Sequence, residues 1–382
     1  MLGFIRPTAL VLLLIQACVQ TTAAADNLVL VTIDGLRWQE VFRGLDEEFI
    51  QSDEQQKKAL LQEFAVDSTL HSPMSKREKL LPFLWQVVAK QGVMLGNRDT
   101  GSAMQVANDR WFSYPGYNEL LSGKPDANIV SNAAIANPNV TFLEWLNQQP
   151  SYQNKVAAFA SWDAFNAIIN DERSGIMVNA GFQAAAWPNL SAKALWLNEI
   201  QQYTPRPWPN ERLDAITFGF AVEYLKSHQP KVIYLALGET DEFAHQDNYP
   251  EYLRAAHRND YFIQQLWTLL QSMDQYRDNT NLIITVDHGR GQTPTTWQHH
   301  SSAKAVADYK KVAEKDVEAI IGSEQTWLAA MGPDVTPARS MSAQQVFTSQ
   351  QIAATALALL NVDATTFHQH IAPALPIIQS SD

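Results

Sequence analysis

Five short runs of aliphatic and β-branched residues, at 28–33, 155–160, 231–237, 282–286 and 326–331, alternate with segments of helical periodicity. That alternation is the pattern of a mostly parallel sheet covered on both faces, so the expected class is a doubly wound α/β fold with helices on both sides. Three of the runs stop at residues that ligate metals. Leu28-Val-Leu-Val-Thr-Ile33 ends at Asp34-Gly35. Val232-Ile-Tyr-Leu-Ala-Leu237 runs into Gly-Glu-Thr-Asp241 with His245 four residues on, and Leu282-Ile-Ile-Thr-Val286 ends at Asp287-His288-Gly289. Ligands of open α/β sheets bind beyond the carboxyl ends of the strands, so carboxylates and imidazoles there point to a metal site.

Helical periodicity covers 142–149, 214–229, 249–273 and 342–360, the last opening on Ser342 as a cap. Three stretches break the alternation: a Glu/Gln/Lys-rich segment at 45–80, a Trp/Pro/Asn-rich one at 184–213 and a Lys/Ala-rich one at 301–321. Each is too short for its own core, so they are expected as surface insertions in a single catalytic domain spanning 26–382.

A formal net charge of −12 argues against a nucleic-acid partner, which would call for a basic face. Residues 1–25 have the order of an export signal: Arg6, an apolar stretch from Ala9 to Ile15, then Ala23-Ala24-Ala25 for cleavage. The mature chain is expected to begin near Asp26, in the periplasm or outside the cell. The apolar stretch is far shorter than the roughly 20 residues of a spanning helix, so no stable membrane span is expected. The only cysteine, Cys18, offers lipidation as an alternative. Removal of 1–25 leaves no cysteine, so any metal must be held by His and carboxylates.

Asp241-x-x-x-His245 puts both side chains near one face of a helical turn, although such pairs also occur as caps and surface residues. Asp287 and His288 serve one site only if the chain turns after them, which Gly289 and Gly291 permit. Ser113, in Trp111-Phe-Ser113-Tyr-Pro115-Gly-Tyr-Asn-Glu-Leu-Leu-Ser-Gly123, falls at a helix N-terminus, with Pro115 in the first turn and Gly123 at the C-terminal end. It is either a nucleophile beside an anion-binding helix end or a plain cap.

Together these residues resemble the alkaline phosphatase superfamily, especially its nucleotide pyrophosphatase/phosphodiesterase branch. The nucleophile motif of that branch, Thr-Phe-Pro-Asn-His-Tyr-Ser-Leu-Val-Thr-Gly, aligns without a gap on Ser113 to Gly123, with serine in place of threonine. The resemblance implies one divalent ion, zinc by ligand type, on Asp241, His245 and a distal histidine. A second would sit on Asp34, Asp287 and His288, with Ser113 between the two. His300, in Trp297-Gln-His-His300, resembles a Trp-x-x-His-Gly pattern, with His299 as the alternative. Asn132, in Ile129-Val-Ser-Asn132, matches the Asn that binds a phosphoryl oxygen in the branch. The implied reaction is hydrolysis of a small phosphorylated substrate through a phosphoserine at Ser113.

Arg37, Arg98, Arg110 and Arg290 are candidates for a phosphate clamp, Arg290 first because it adjoins His288. Trp187, Trp196 and Trp208 either line a substrate pocket or pack the 184–213 segment. A phosphosugar mutase or sulfatase of the same superfamily, or a non-catalytic metal-binding protein, are the competing readings. Against the sulfatase, Ser113-Tyr-Pro-Gly-Tyr117 lacks the arginine of the formylglycine precursor motif, Cys or Ser then x-Pro-x-Arg.

Overall fold

The computed structural model describes residues 24–50, 54–64, 73–337 and 345–379. All but the last two residues of the expected export signal, Cys18 and the cap Ser342 lie outside them. The strands are β1 (Asn27–Ile33), β2 (Val93–Leu95), β3 (Ser102–Gln105), β4 (Val156–Ala160), β5 (Met177–Ala180), β6 (Val232–Leu237), β7 (Thr280–Thr285), β8 (Gln325–Thr326), β9 (Leu328–Met331) and β10 (Gln345–Thr348). Seven of them form one sheet in the order β2-β9-β7-β1-β6-β4-β5, and the other three a small sheet, β10-β3-β8. Parallel pairing runs from β7 through β1, β6 and β4 to β5, while β9 is antiparallel to β7 and to β2.

β1, β4, β6 and β7 are buried along their whole length, which is why each reads as a continuous apolar run rather than an alternating one. Successive side chains still point to opposite faces. Val29, Val31 and Ile33 of β1 enter one core, with Tyr224, Leu253 and Ile263 from the helices Asp214–His228 and Tyr249–Ser272. Leu28 and Leu30 enter the other, with Tyr117, Leu120, Phe142 and Ile352 from the helices Ser113–Ser122, Phe142–Asn147 and Gln351–Leu359. The sheet is therefore doubly covered.

The register makes the strand ends flush. Ile33 pairs with Leu237 and Thr32 with Thr285, so Asp34, the helix Glu239–His245 and Asp287-His288 leave the middle of the sheet side by side.

Two expectations need correction. The segment 342–360 is not one helix: Gln345–Thr348 pairs with β3 before the helix Gln351–Leu359 begins. Exposed Val346 next to buried Phe347 shows the period of two that the longer apolar stripe hides. The segment 45–80 is not confined to the surface, because Leu60, Phe64 and Leu80 enter the first core. In 184–213, Trp187 packs edge-on to Phe159, Phe220 and Tyr224, and Trp208 packs on Phe243, whereas Trp196 is exposed. Among the described residues, no helix is long and apolar enough to cross a membrane.

Candidate metal centre

The site begins where the chain turns after two of the central strands, β1 and β7. After β1 the chain turns at Gly35, whose φ of +60° places it in the left-handed region; a side chain there would lie 2.7 Å from Asp241 Oδ1. The Gly35 amide donates to Asp287 Oδ1 at 3.2 Å, which ties the β1 and β7 ends together. After β7, Gly289 sits so close to the backbone of Gly322 that a Cβ would fall 2.2 Å from its carbonyl oxygen. His288 Nδ1 lies 2.8 Å from the Gly289 carbonyl oxygen. A carbonyl can only accept, so Nδ1 carries a proton, and the neutral ring, with Nε2 deprotonated, turns its lone pair toward the site. That nitrogen lies 3.4 Å from Asp34 Oδ1 and 3.4 Å from Asp287 Oδ2. Asp34, Asp287 and His288, all buried, present ligand atoms within 4.8 Å of one another.

A second group adjoins the first. Asp241 and His245 stand one turn apart on the helix Glu239–His245, with Oδ2 and Nε2 at 3.1 Å. His300 Nε2 comes within 3.0 Å of His245 Nε2 and 3.6 Å of Asp241 Oδ1. Its ring stacks on that of His288 at 3.9 Å, and Asp241, His288 and His300 also offer ligand atoms within 4.8 Å of each other. His299 is exposed, and its carbonyl accepts from the Gly291 amide, so of the two distal candidates the structure brings His300 to the cluster.

Asp34 Oδ1, Asp287 Oδ2 and His300 Nδ1 are buried without a hydrogen-bond partner. Burial, with Asp34 close by, pushes the Asp287 carboxyl well above its usual range; burial and Asp241 push Asp34 up as well. Burial opposes a charged His288, yet Asp287 and Asp34 draw its pKa up to about 9. Burial would also raise Asp241, but Arg290, His245 and His300 hold it well below. Three carboxylates are thus crowded together with acceptor atoms unused, an arrangement that calls for cations. Two sets of carboxylate oxygen and imidazole nitrogen fit two divalent ions of borderline hardness, zinc among them, with open positions left at each.

Ser113 opens the helix Ser113–Ser122. Phe112 occupies the N-cap with no side-chain cap bond, and Ser113 Oγ instead lies 3.3 Å from His288 Nε2. The helix can come this close because residue 116 is glycine: a Cβ there would sit 2.4 Å from the Asp287 carbonyl oxygen. One turn from Ser113, the Tyr117 hydroxyl donates to Asp34 Oδ2 at 2.8 Å. Asn132 Oδ1 accepts from the Tyr114 amide at 3.0 Å, and Asn132 lines a cavity with Phe112, His245 and His300.

Arg290 is not placed as a phosphate clamp. It is wholly buried, donating through Nε to Trp297 O at 2.9 Å and through its other nitrogens to Asp241 and Gln298 O. It steadies the second ligand group instead. Arg37 is sealed against Glu40 and Gly291 O, Arg98 donates to Met104 O, and Arg110 pairs with Asp308 and Asp109.

A brace behind Ser113 has no mark in the sequence. Buried Glu119 accepts from the Ala107 amide at 2.8 Å and from the amide and side chain of Asn108 at 2.8 and 2.9 Å. Asn108 Oδ1 in turn accepts from the Arg110 and Trp111 amides, both at 3.0 Å. Trp111 is held at φ +61°, unusual for a bulky side chain, two residues before Ser113. Tyr117, by contrast, was detectable, since i and i+4 share a helix face.

Residues 113–362 match the family model described as Sulfatase. The sequence matches no curated protein. Among solved structures, wild-type alkaline phosphatase PafA is similar at a TM-score of 0.53 and 11% identity, over 89% of this chain and 96% of that one. A 2-O GAG sulfatase gives 0.51 and 12% identity over 93% and 76%. The lipoteichoic acid synthase LtaP from Listeria monocytogenes gives 0.50 and 10% over 89% and 73%. At such identities these likenesses concern the fold.

Proposed function

The chain belongs to the Sulfatase family, within the alkaline phosphatase superfamily of hydrolytic enzymes, and we propose that it is an exported two-metal phosphoric ester hydrolase whose nucleophile is Ser113. The observation that carries this reading is the position of Ser113 Oγ, 3.3 Å from His288 Nε2 where the two ligand groups meet.

Asp34, Asp287 and His288 would hold one divalent ion, and Asp241, His245 and His300 the other. When bound, such a pair supplies positive charge to the nucleophile and to the oxygens of the transferred group. The residues of the chain do the rest. Tyr117 orients the Asp34 carboxylate, the Nδ1 bond to Gly289 fixes the His288 ring, and Arg290 fixes Asp241. Ser113 Oγ forms the bond to phosphorus as the P–O bond to one alcohol breaks, the hydroxyl proton leaving with that alcohol; water then cleaves the phosphoserine ester, which still carries the second substituent, and returns a proton to Ser113. The Asn132 NH2 donates to a phosphoryl oxygen.

A phosphate rather than a sulfate ester is favoured because Tyr117 stands where the formylglycine motif has arginine, and its hydroxyl is committed to Asp34. Phosphodiesters are favoured over monoesters because none of the residues lining the cavity is Lys or Arg. A dianionic monoester would present a third charged oxygen there, whereas a diester presents a neutral substituent.

Assays on matched aryl monoester, diester and sulfate substrates test the reading. Diester turnover should dominate, disappear with chelator, return with zinc, and fall by at least about 10³-fold in Ser113→Ala. Full activity in Ser113→Ala, or sulfate turnover above both phosphates, would overturn it. The family match favours the sulfatase reading enough to make that third arm necessary.

A further inference from the structure

The metal centre opens into a cavity of about 740 Å³ between two walls. One is the helix Ala303–Lys310 of the 301–321 insertion, which contributes Ala305, Asp308 and Tyr309. The other carries Val130, Ser131 and Asn132, and behind it a smaller apolar pocket of about 260 Å³, sharing Val130 and Ser131, is lined by Tyr114, Ile129, Ile135 and Pro138. Phe112 also lines the cavity, with His245 and His300.

Two properties of this mouth are unusual together. Large apolar side chains stand exposed along its lining and that of the adjoining pocket: Val130 at 50% and Tyr309 at 88% in the cavity, Ile135 at 70% in the pocket. Single exposed apolar residues are ordinary, but a group of them around a cavity continuous with a metal centre marks a surface that gains by being covered. Its charge is also spent. Asp308 is the one acidic side chain among the lining residues, and Arg110 neutralises it from beneath, itself 4% exposed. A nucleoside polyphosphate or a sulfated sugar would bring extra negative charge to walls that offer it no cation.

Resting on the hydrolase reading, we propose that the substituent carried by the substrate phosphate is an uncharged apolar or aromatic group. It is seated between Tyr309 and Val130, which makes these two specificity-determining residues. The charged end of the substrate faces the ligand histidines and Asn132; the apolar end displaces water from Tyr309, Val130 and Ile135.

The test is a series of p-nitrophenyl phosphodiesters that share a leaving group and differ in the second substituent: methyl, phenyl and 4-carboxyphenyl. The wild-type chain should prefer phenyl to methyl by about tenfold in kcat/KM, the discrimination typical of a filled apolar pocket, and should lose that preference with 4-carboxyphenyl. Tyr309→Ala and Val130→Asp should each bring the phenyl-to-methyl ratio close to unity. Both side chains are half exposed or more, so melting temperatures report whether the fold has survived the change. Turnover of the methyl ester with no phenyl preference, or a preference that survives both substitutions, would overturn this inference and leave the hydrolase reading standing. No turnover of any ester by the metal-loaded protein would overturn both.

Discussion

One imidazole nitrogen is shared by most of the chemistry. His288 Nε2 faces Ser113 Oγ and the carboxylates of Asp34 and Asp287, and the ring can do so only because its other nitrogen is committed to Gly289 O. The Tyr117 hydroxyl has the same kind of importance one bond further out. Tyr117→Phe keeps the ring in its place and removes the donor to Asp34, so zinc affinity should fall about 10- to 100-fold, read by competition with a chromogenic chelator. Asn132→Ala should lower kcat by about 10- to 100-fold, provided its NH2 meets a phosphoryl oxygen; an unchanged kcat would reduce Asn132 to a cap for the Tyr114 amide. The clustering of Asp34, Asp241, Asp287 and His288 was legible because carboxylates and imidazoles at the ends of apolar runs stand out against their neighbours. Glu119 and Asn108 were not, because an acid inside Tyr-Asn-Glu-Leu-Leu looks like any helical glutamate until the loop it braces is in place. The role of Arg290 was also hidden, since proximity in sequence to His288 says nothing of which way a guanidinium turns.

Elements place these residues by close approach. The helix Ser113–Ser122 rests on the Asp287 carbonyl at Gly116, so Gly116→Ala must push the helix away or distort β7. The expected outcome is a destabilisation of about 1–3 kcal/mol by chemical denaturation, with a loss of activity exceeding what the folded fraction explains. A pH effect belongs to the helix Tyr249–Ser272. Its Asp260 accepts from the Phe83 and Leu84 amides at 2.7 and 2.9 Å, but burial outweighs those bonds and raises its pKa from 3.8 to about 7. The folded chain therefore binds this proton more tightly than the unfolded one. Its contribution to stability is complete below the unfolded pKa of about 4 and is lost as pH rises through about 7. Denaturation of Asp260→Asn across that window should show a flatter slope than wild type, and parallel slopes would count against the assignment. Boundaries of the central strands could be read from the sequence because both faces are buried; β2, β3, β5 and β10 could not, since each has only three or four residues and pairs at an edge or in the small sheet.

Across the whole molecule, the cost of the site is crowded negative charge, held by a framework of apolar strands. Cations that bind the folded chain and not the unfolded one should stabilise it, so chelation should lower the melting temperature and zinc should restore it in a concentration-dependent way. A melting temperature indifferent to zinc would mean that the two ligand groups do not hold metal. The wall over the cavity is built differently from the sheet beneath it. The stretch from Ser301 to Ile320 leaves and returns at a single antiparallel bridge, its ends joined by the Ile320 amide on the Ser301 carbonyl at 3.0 Å. It is a closed excursion that begins immediately after His300 and is also tied to the loop before Ser113, by the Ser302 amide on the Arg110 carbonyl and by Arg110 on Asp308. Its length and composition are therefore free to drift while the strands and ligands stay fixed, and replacing it is the shortest evolutionary or engineered path from one substrate to another.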